Sequence, residues 1–114
     1  MTRIGNVLYA AEDLDAAIRF YRDVLGLALK FRDGDRFAAF DGGGVTFALA
    51  GAAEDVTGGV PAVSWKVEDV AATAAVLTAA GATLVHGPAD GPHETRAVLR
   101  DPAGNPFVLY APRA

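Results

Sequence analysis

The sequence predicts an α+β fold, two tandem βαβββ modules forming cupped mixed sheets with helices on the outer face. Three observations carry the prediction. Apolar runs and turn signals read β-α-β-β-β along one half of the chain and read so again along the other. Each helix start is marked by an aspartate, Asp13 or Asp69, and each stop by a glycine, Gly26 or Gly81. A turn-rich stretch precedes the last strand of each half: Asp41-Gly42-Gly43-Gly44, then Asp101-Pro102-Ala103-Gly104-Asn105-Pro106. These landmarks recur at a nearly constant spacing, which suits a pseudo-symmetric pair rather than a solenoid.

The elements follow in order. Arg3 to Ala10 holds Ile4, Val7, Leu8 and Tyr9 and reads as a strand. Asp13 caps a helix in which Leu14, Ala17, Ile18, Tyr21 and Leu25 fall on one apolar face, and Gly26 ends it. Leu27 to Arg32, Arg36 to Asp41 and Val45 to Ala50 are strands, joined by Asp33-Gly34-Asp35 and by the glycine run. Gly51 to Pro61 is small and polar with no period, a linker between modules 1–50 and 62–114 of a single domain, 1–114. Ala62 to Val67 is the next strand. Asp69 caps a helix carrying Val70, Ala74, Leu77 and Ala80 on its buried side. Thr83 to His86, Thr95 to Arg100 and Phe107 to Ala111 complete the second set. Each helix has an apolar face that must pack on its own sheet, which leaves the other face of the sheet to line a cavity.

Composition narrows the function. At 114 residues the chain has the size of one domain, and 52% of it is hydrophobic. Ten Lys and Arg against fourteen Asp and Glu give a net charge of −4, with no basic cluster, so nucleic acid is not an expected partner. No cysteine occurs, which excludes disulfides, thiolate metal sites and cysteine nucleophiles. No run approaches the roughly 20 apolar residues that cross a bilayer, so no membrane partner is expected and a cytoplasmic location is. Gly42-Gly43-Gly44 joins two strands, whereas phosphate-cradling glycines precede a helix.

Several stretches together resemble the vicinal oxygen chelate superfamily, which includes glyoxalase I, extradiol dioxygenases, and fosfomycin and bleomycin resistance proteins. They are Asp13-Leu14-Asp15-Ala16-Ala17 with Phe20 to Leu27, Val67-Glu68-Asp69-Val70, Ala80-Gly81-Ala82, and the turn from Asp101 to Pro106. The resemblance spans nearly the whole chain and implies the fold, on which many chemistries are carried. It also implies where a metal would be held, since the metal enzymes of this superfamily place a His, Glu or Gln on the first and last strand of each module. Those positions fall on Asn6, Ala48, Ala62 and Val108. Two methyls, an isopropyl group and one neutral amide do not make a divalent metal site. No metal and no cofactor are therefore expected. The resemblance points to metal-free members of the bleomycin resistance kind, small acidic dimers that sequester a drug unchanged.

If those four positions face the cavity, strand alternation assigns the rest. Leu8, Thr46, Ala50, Ser64, Lys66, Pro106 and Tyr110 share the cavity side. Val7, Tyr9, Phe47, Leu49, Val63, Trp65, Val67, Phe107 and Leu109 face the helices. The expected ligand-binding set is Asn6, Leu8, Ala48, Ala62, Ser64, Lys66, His93, Arg96, Val108 and Tyr110. Each has a plainer reading beside it. Lys66 binds an anionic group or serves as a base, or is a solvated lysine at a strand end. Asn6 orients a ligand through its donor and acceptor, or serves the backbone. Tyr110 lines the pocket or ends a strand, and Arg96 meets a carboxylate or phosphate, or forms an exposed ion pair. His86 and His93 flank the loop Gly87 to Pro92, a candidate lid. His93-Glu94 pairs a neutral-pH base with a carboxylate, although neighbours in extended chain point to opposite sides.

The function expected is metal-independent binding of a small, partly aromatic or cationic molecule by a homodimer, with antibiotic sequestration or self-resistance as one form. The negative charge suits a cation, and serves solubility equally. The alternative is a glyoxalase-like lyase, isomerase or cyclase using acid–base residues or a non-standard metal site.

Overall fold

Asp13 and Asp69 start their helices as their positions predict. In the computed structural model, which describes residues 2–113, each carboxylate accepts a backbone N–H three residues on, from Ala16 and Ala72, at 3.0 Å. Helices α1 (Leu14–Ile18) and α2 (Val70–Ala79) begin there. The strands are β1 (Arg3–Ala10), β2 (Ala28–Asp33), β3 (Phe37–Asp41), β4 (Thr46–Ala50), β5 (Ala62–Lys66), β6 (Thr83–Asp90), β7 (Glu94–Arg100) and β8 (Pro106–Pro112). The element order is β-α-β-β-β twice, an α+β fold with mixed sheets.

By packing, the chain divides into two units, and the division falls inside β1. One unit is Asn6–Pro61; the other joins the residues up to Gly5 with those from Ala62 onward.

In the Asn6–Pro61 unit the strand order is β2-β3-β4-β1, with β1 parallel to β4 and the other neighbours antiparallel. Leu14 and Ile18 of α1 pack on Ala38, Phe40 and Leu49, with Phe47 and Tyr21 against them. Tyr21 and Phe47 meet edge to face at 4.7 Å, and Tyr9 meets Phe47 the same way at 5.1 Å. Burying large apolar side chains in this way stabilises by about 1.5–3 kcal/mol each.

The single helix expected from Asp13 to Gly26 needs correction. After Ile18 the chain winds as a π-helix, Arg19–Val24, and the Leu25 N–H donates to the Phe20 carbonyl at 3.0 Å, five residues back. The wider turn rotates later residues off the buried face. Leu25 is 61% exposed, and Leu27 packs inward instead.

The other unit has the order β5-β8-β7-β6, again with one parallel pair, β5 with β8. Val70 and Ala74 of α2 pack on Ala97, Leu99, Leu109 and Ala111, with Trp65, Leu77 and Phe107 alongside. Trp65, partly buried, thus packs against the core on the helix side. Ala80, expected on the buried side of α2, caps its end and is exposed.

The turn before β8 is closed by one side chain. The Asp101 carboxylate accepts N–H groups from Ala103 and Asn105, each at 2.9 Å, and the Asn105 amide at 3.1 Å. These bonds, those from Asn105 first, hold its pKa below the ordinary carboxylate value.

The lid expected over Gly87 to Pro92 is also corrected. β6 runs on to Asp90 through two irregularities in its register with β7, leaving Gly91 to His93 as the connection. Gly87 makes this possible. A Cβ there would lie 2.6 Å from the Arg96 carbonyl oxygen, so only glycine lets the two backbones approach so closely.

Candidate ligand-binding site

On the Asn6–Pro61 unit, Leu8 pairs with Ala48, and the two share the sheet face away from α1 with Ala50 and Phe37. Asn6 precedes the Val7–Phe47 pair and falls on the same face by alternation. The Asn6 Oδ1 is buried and has no hydrogen-bond partner among the described residues. An acceptor left so costs about 1–3 kcal/mol. Beside this face the Lys30 ammonium donates to the Thr46 hydroxyl at 2.7 Å, and Phe31 stacks on Phe37 at 5.8 Å.

On the other unit, the face away from α2 is organised as cross-strand rows. Val108 lies between Ser64 and Val98, and Tyr110 lies between Lys66 and Arg96. Ala62 is on the same face by alternation. The first row is buried; the second is half-buried. Six of the expected site residues are therefore brought to one face: Ala62, Ser64, Lys66, Arg96, Val108 and Tyr110.

Tyr110 is held in place by an absence. A Cβ on Gly5 would stand 1.8 Å from the Tyr110 hydroxyl oxygen and 2.4 Å from Cζ, so the phenol lies against bare backbone. Burial raises the Tyr110 pKa above the ordinary phenol value, the negative charge of Glu94 raises it further, and Arg3 partly opposes them. Arg96 reaches Glu94 at 3.8 Å. Gly5, Arg3 and Glu94 were not in the expected set. Arg3 and Gly5 reach Tyr110 from the other end of the chain, and the sequence carries no local signal for that approach.

His93 stands apart. It is exposed in the turn before β7, and its carbonyl accepts the N–H of Arg113 at 3.1 Å. His86, in β6, is exposed and pairs with Val98.

On neither unit do the positions that the resemblance marks for a metal carry side chains that suit one. Ala48, Ala62 and Val108 are buried methyl and isopropyl groups, exposed by 0%, 6% and 2%, and Asn6 supplies one amide. Among the described residues no three or more His, Asp or Glu side chains are grouped to hold an ion.

A concavity of about 400 Å³ lies at the start of α1, lined by Glu12, Asp15, Asp35 and Arg36 among others. Several of its charges are engaged: Arg32 meets Asp15 at 2.6 Å, and Arg36 pairs with Glu54. No helix is long and apolar enough to cross a membrane among the described residues.

Residues 3–109 match the family model described as the glyoxalase/bleomycin resistance protein/dioxygenase superfamily. An uncharacterized protein of Mycolicibacterium smegmatis is 46% identical over 106 residues, covering 93% of this chain and 90% of its own. Among solved structures, a glyoxalase/bleomycin resistance protein/dioxygenase superfamily member from Vibrio splendidus superposes with a TM-score of 0.69 at 21% identity, covering 97% of this chain and 99% of that one. Methylmalonyl-CoA epimerase from Mycobacterium tuberculosis gives 0.64 at 22% identity, with 97% and 88% covered. At such identities the structural likeness concerns the fold.

Proposed function

Because this chain belongs to the glyoxalase/bleomycin resistance protein/dioxygenase superfamily, we propose that it binds a small, partly aromatic molecule without a metal ion. Sequestration of an antibiotic by a cytoplasmic homodimer is one form of this activity. The observation that carries the reading is the side chains at positions 6 and 48 on one unit and 62 and 108 on the other. Methyl and isopropyl groups have no lone pairs to give, so these positions do not suit coordination, and being buried they form the apolar floor of each unit's face. The orphaned Asn6 acceptor supports it, since a ligand N–H or O–H would remove the cost of leaving that oxygen unpaired. The net charge of −4 favours a cation at long range, while the side chains at close range decide what is held.

A second reading, acid–base catalysis by a lyase, isomerase or cyclase on the same scaffold, draws on Lys66 beside Tyr110 in register.

Two measurements test the proposal. Screening small aromatic compounds by thermal shift should find ligands that raise Tm in a saturable way and are recovered unchanged. Elemental analysis of untagged protein should find no stoichiometric zinc, iron, manganese or nickel. A stoichiometric metal, or turnover of a bound compound, would refute it.

A further inference from the structure

The face away from α2 carries a concentration of charge that the chain as a whole lacks. Lys66, Tyr110 and Arg96 lie side by side on three adjacent strands, β5, β8 and β7, in direct register. Neighbouring strands are about 4.8 Å apart. The three side chains therefore leave the sheet from one short row. Among the described residues the Lys66 ammonium has neither a hydrogen bond nor an ion pair, although the residue is half-buried. Arg96 is engaged with Glu94 at 3.8 Å. Arg3 acts on Tyr110 with a third positive charge. Lys66 and Arg96 thus flank Tyr110 in register, while Arg3 and Glu94 act with opposite sign on its phenol.

The floor of the row strengthens whatever these groups attract. The adjoining row, Ser64, Val108 and Val98, is buried and mostly apolar. A charge placed over such a floor is less screened than one on an open surface. The phenol is pre-positioned as well, because Tyr110 rests on Gly5 and keeps its proton at neutral pH. A neutral phenol donates one hydrogen bond, and an ammonium donates three. Donors carried in register on adjacent strands suit an acceptor with two oxygens.

Resting on the ligand-binding reading above, we propose that this row recognises a carboxylate, Lys66 and Tyr110 donating to its oxygens while Arg96, tied to Glu94, adds positive charge from the far side. The ligand class is then a small aromatic or aliphatic carboxylic acid, opposite in charge to the cation that the overall composition favours. Lys66 is the specificity-determining residue. Tyr110 is the directional donor, and Gly5 the residue that positions it.

The test uses three probes of one shape and different charge: benzoate, benzyl alcohol and benzylammonium. Each is titrated into ¹⁵N-labelled protein and followed by amide shifts at Lys66, Arg96 and Tyr110. Benzoate is expected to bind tightest. Lys66→Met should weaken benzoate by about tenfold, the scale of one charge-assisted hydrogen bond, and leave benzyl alcohol unchanged. Tyr110→Phe keeps the ring and should weaken benzoate less, by a few-fold. Unchanged melting curves for both variants establish that the fold is intact. Benzylammonium binding as tightly as benzoate, or benzoate indifferent to Lys66→Met, would overturn the carboxylate assignment and leave ligand binding standing. If none of the three probes moves an amide on this face, the ligand-binding reading fails there, and the carboxylate assignment with it.

Discussion

Replacing Gly5 by alanine should destabilise the fold through Tyr110 alone, and the structure sets the size of the effect. The backbone at Gly5 does not have the positive φ that glycine favours, so alanine meets no backbone strain there. In open space the exchange would stabilise by about 0.4–1 kcal/mol, through lower entropy of the unfolded chain. The space is not open. The added Cβ would stand 1.8 Å from the Tyr110 hydroxyl oxygen, 2.4 Å from Cζ and 2.5 Å from Cε1. Contacts that short cannot be absorbed by small shifts, so the ring must swing away from β1, and overpacking of this kind costs about 1–3 kcal/mol. Urea denaturation of a four-variant cycle measures the balance. Gly5→Ala should destabilise the native chain, yet be neutral or stabilising in a Tyr110→Ala background, giving a coupling of about 1.5–4 kcal/mol. NMR of ¹³C-labelled tyrosine provides a second readout. In Gly5→Ala the raised Tyr110 pKa should fall back toward the ordinary phenol value, as the ring leaves its half-buried place. Equal costs of Gly5→Ala in both backgrounds would refute the reasoning.

Two further outcomes follow from side chains that shape the backbone. Asp101 has a folded-state pKa below its unfolded value, so its contribution to stability is present above about pH 3.9 and is lost as pH falls through the lower folded value. Acid unfolding followed by circular dichroism should therefore show a shallower loss for Asp101→Asn than for the native chain in that window; identical slopes would contradict it. Asp69→Ala removes the acceptor for the Ala72 N–H and should cost about 1 kcal/mol in urea, with faster amide exchange in the first turn of α2. Unchanged exchange there would show that the cap contributes nothing.

What the sequence discloses follows from how far each physical signal reaches. Aspartate caps, glycine stops and the Asp101 turn act over a few residues, and the structure forms all of them as the residues alone indicate. Strand alternation is equally local, and it separates Trp65 and Leu109 from Lys66 and Tyr110 correctly within their unit. The π-winding after Ile18 is different. Its apolar spacing fits an α-helix, and the switch to i→i−5 bonding is seen only once Leu27, not Leu25, is packed against the sheet. The extension of β6 past His86 was hidden for a related reason: Gly87-Pro88 reads as a loop until β7 is laid beside it. Of the candidate site, the residue types on each strand were legible. The row that sets Lys66, Tyr110 and Arg96 together was not, because register between distant strands is a property of the whole sheet.

Packing divides the chain at a place where its sequence does not. The sequence repeats as one half followed by another, as a doubled gene would leave it. Yet Gly5 packs with the second half, where Tyr110 lies against it. Tyrosine at 110 and glycine at 5 are therefore a pair drawn from opposite ends of the chain, and the unit that holds them is completed by residues that precede the first module's helix. Swapping the halves, Ala62 onward first, would bring this pair close together in sequence and make the unit that holds it continuous, with both sets of caps and turns left intact.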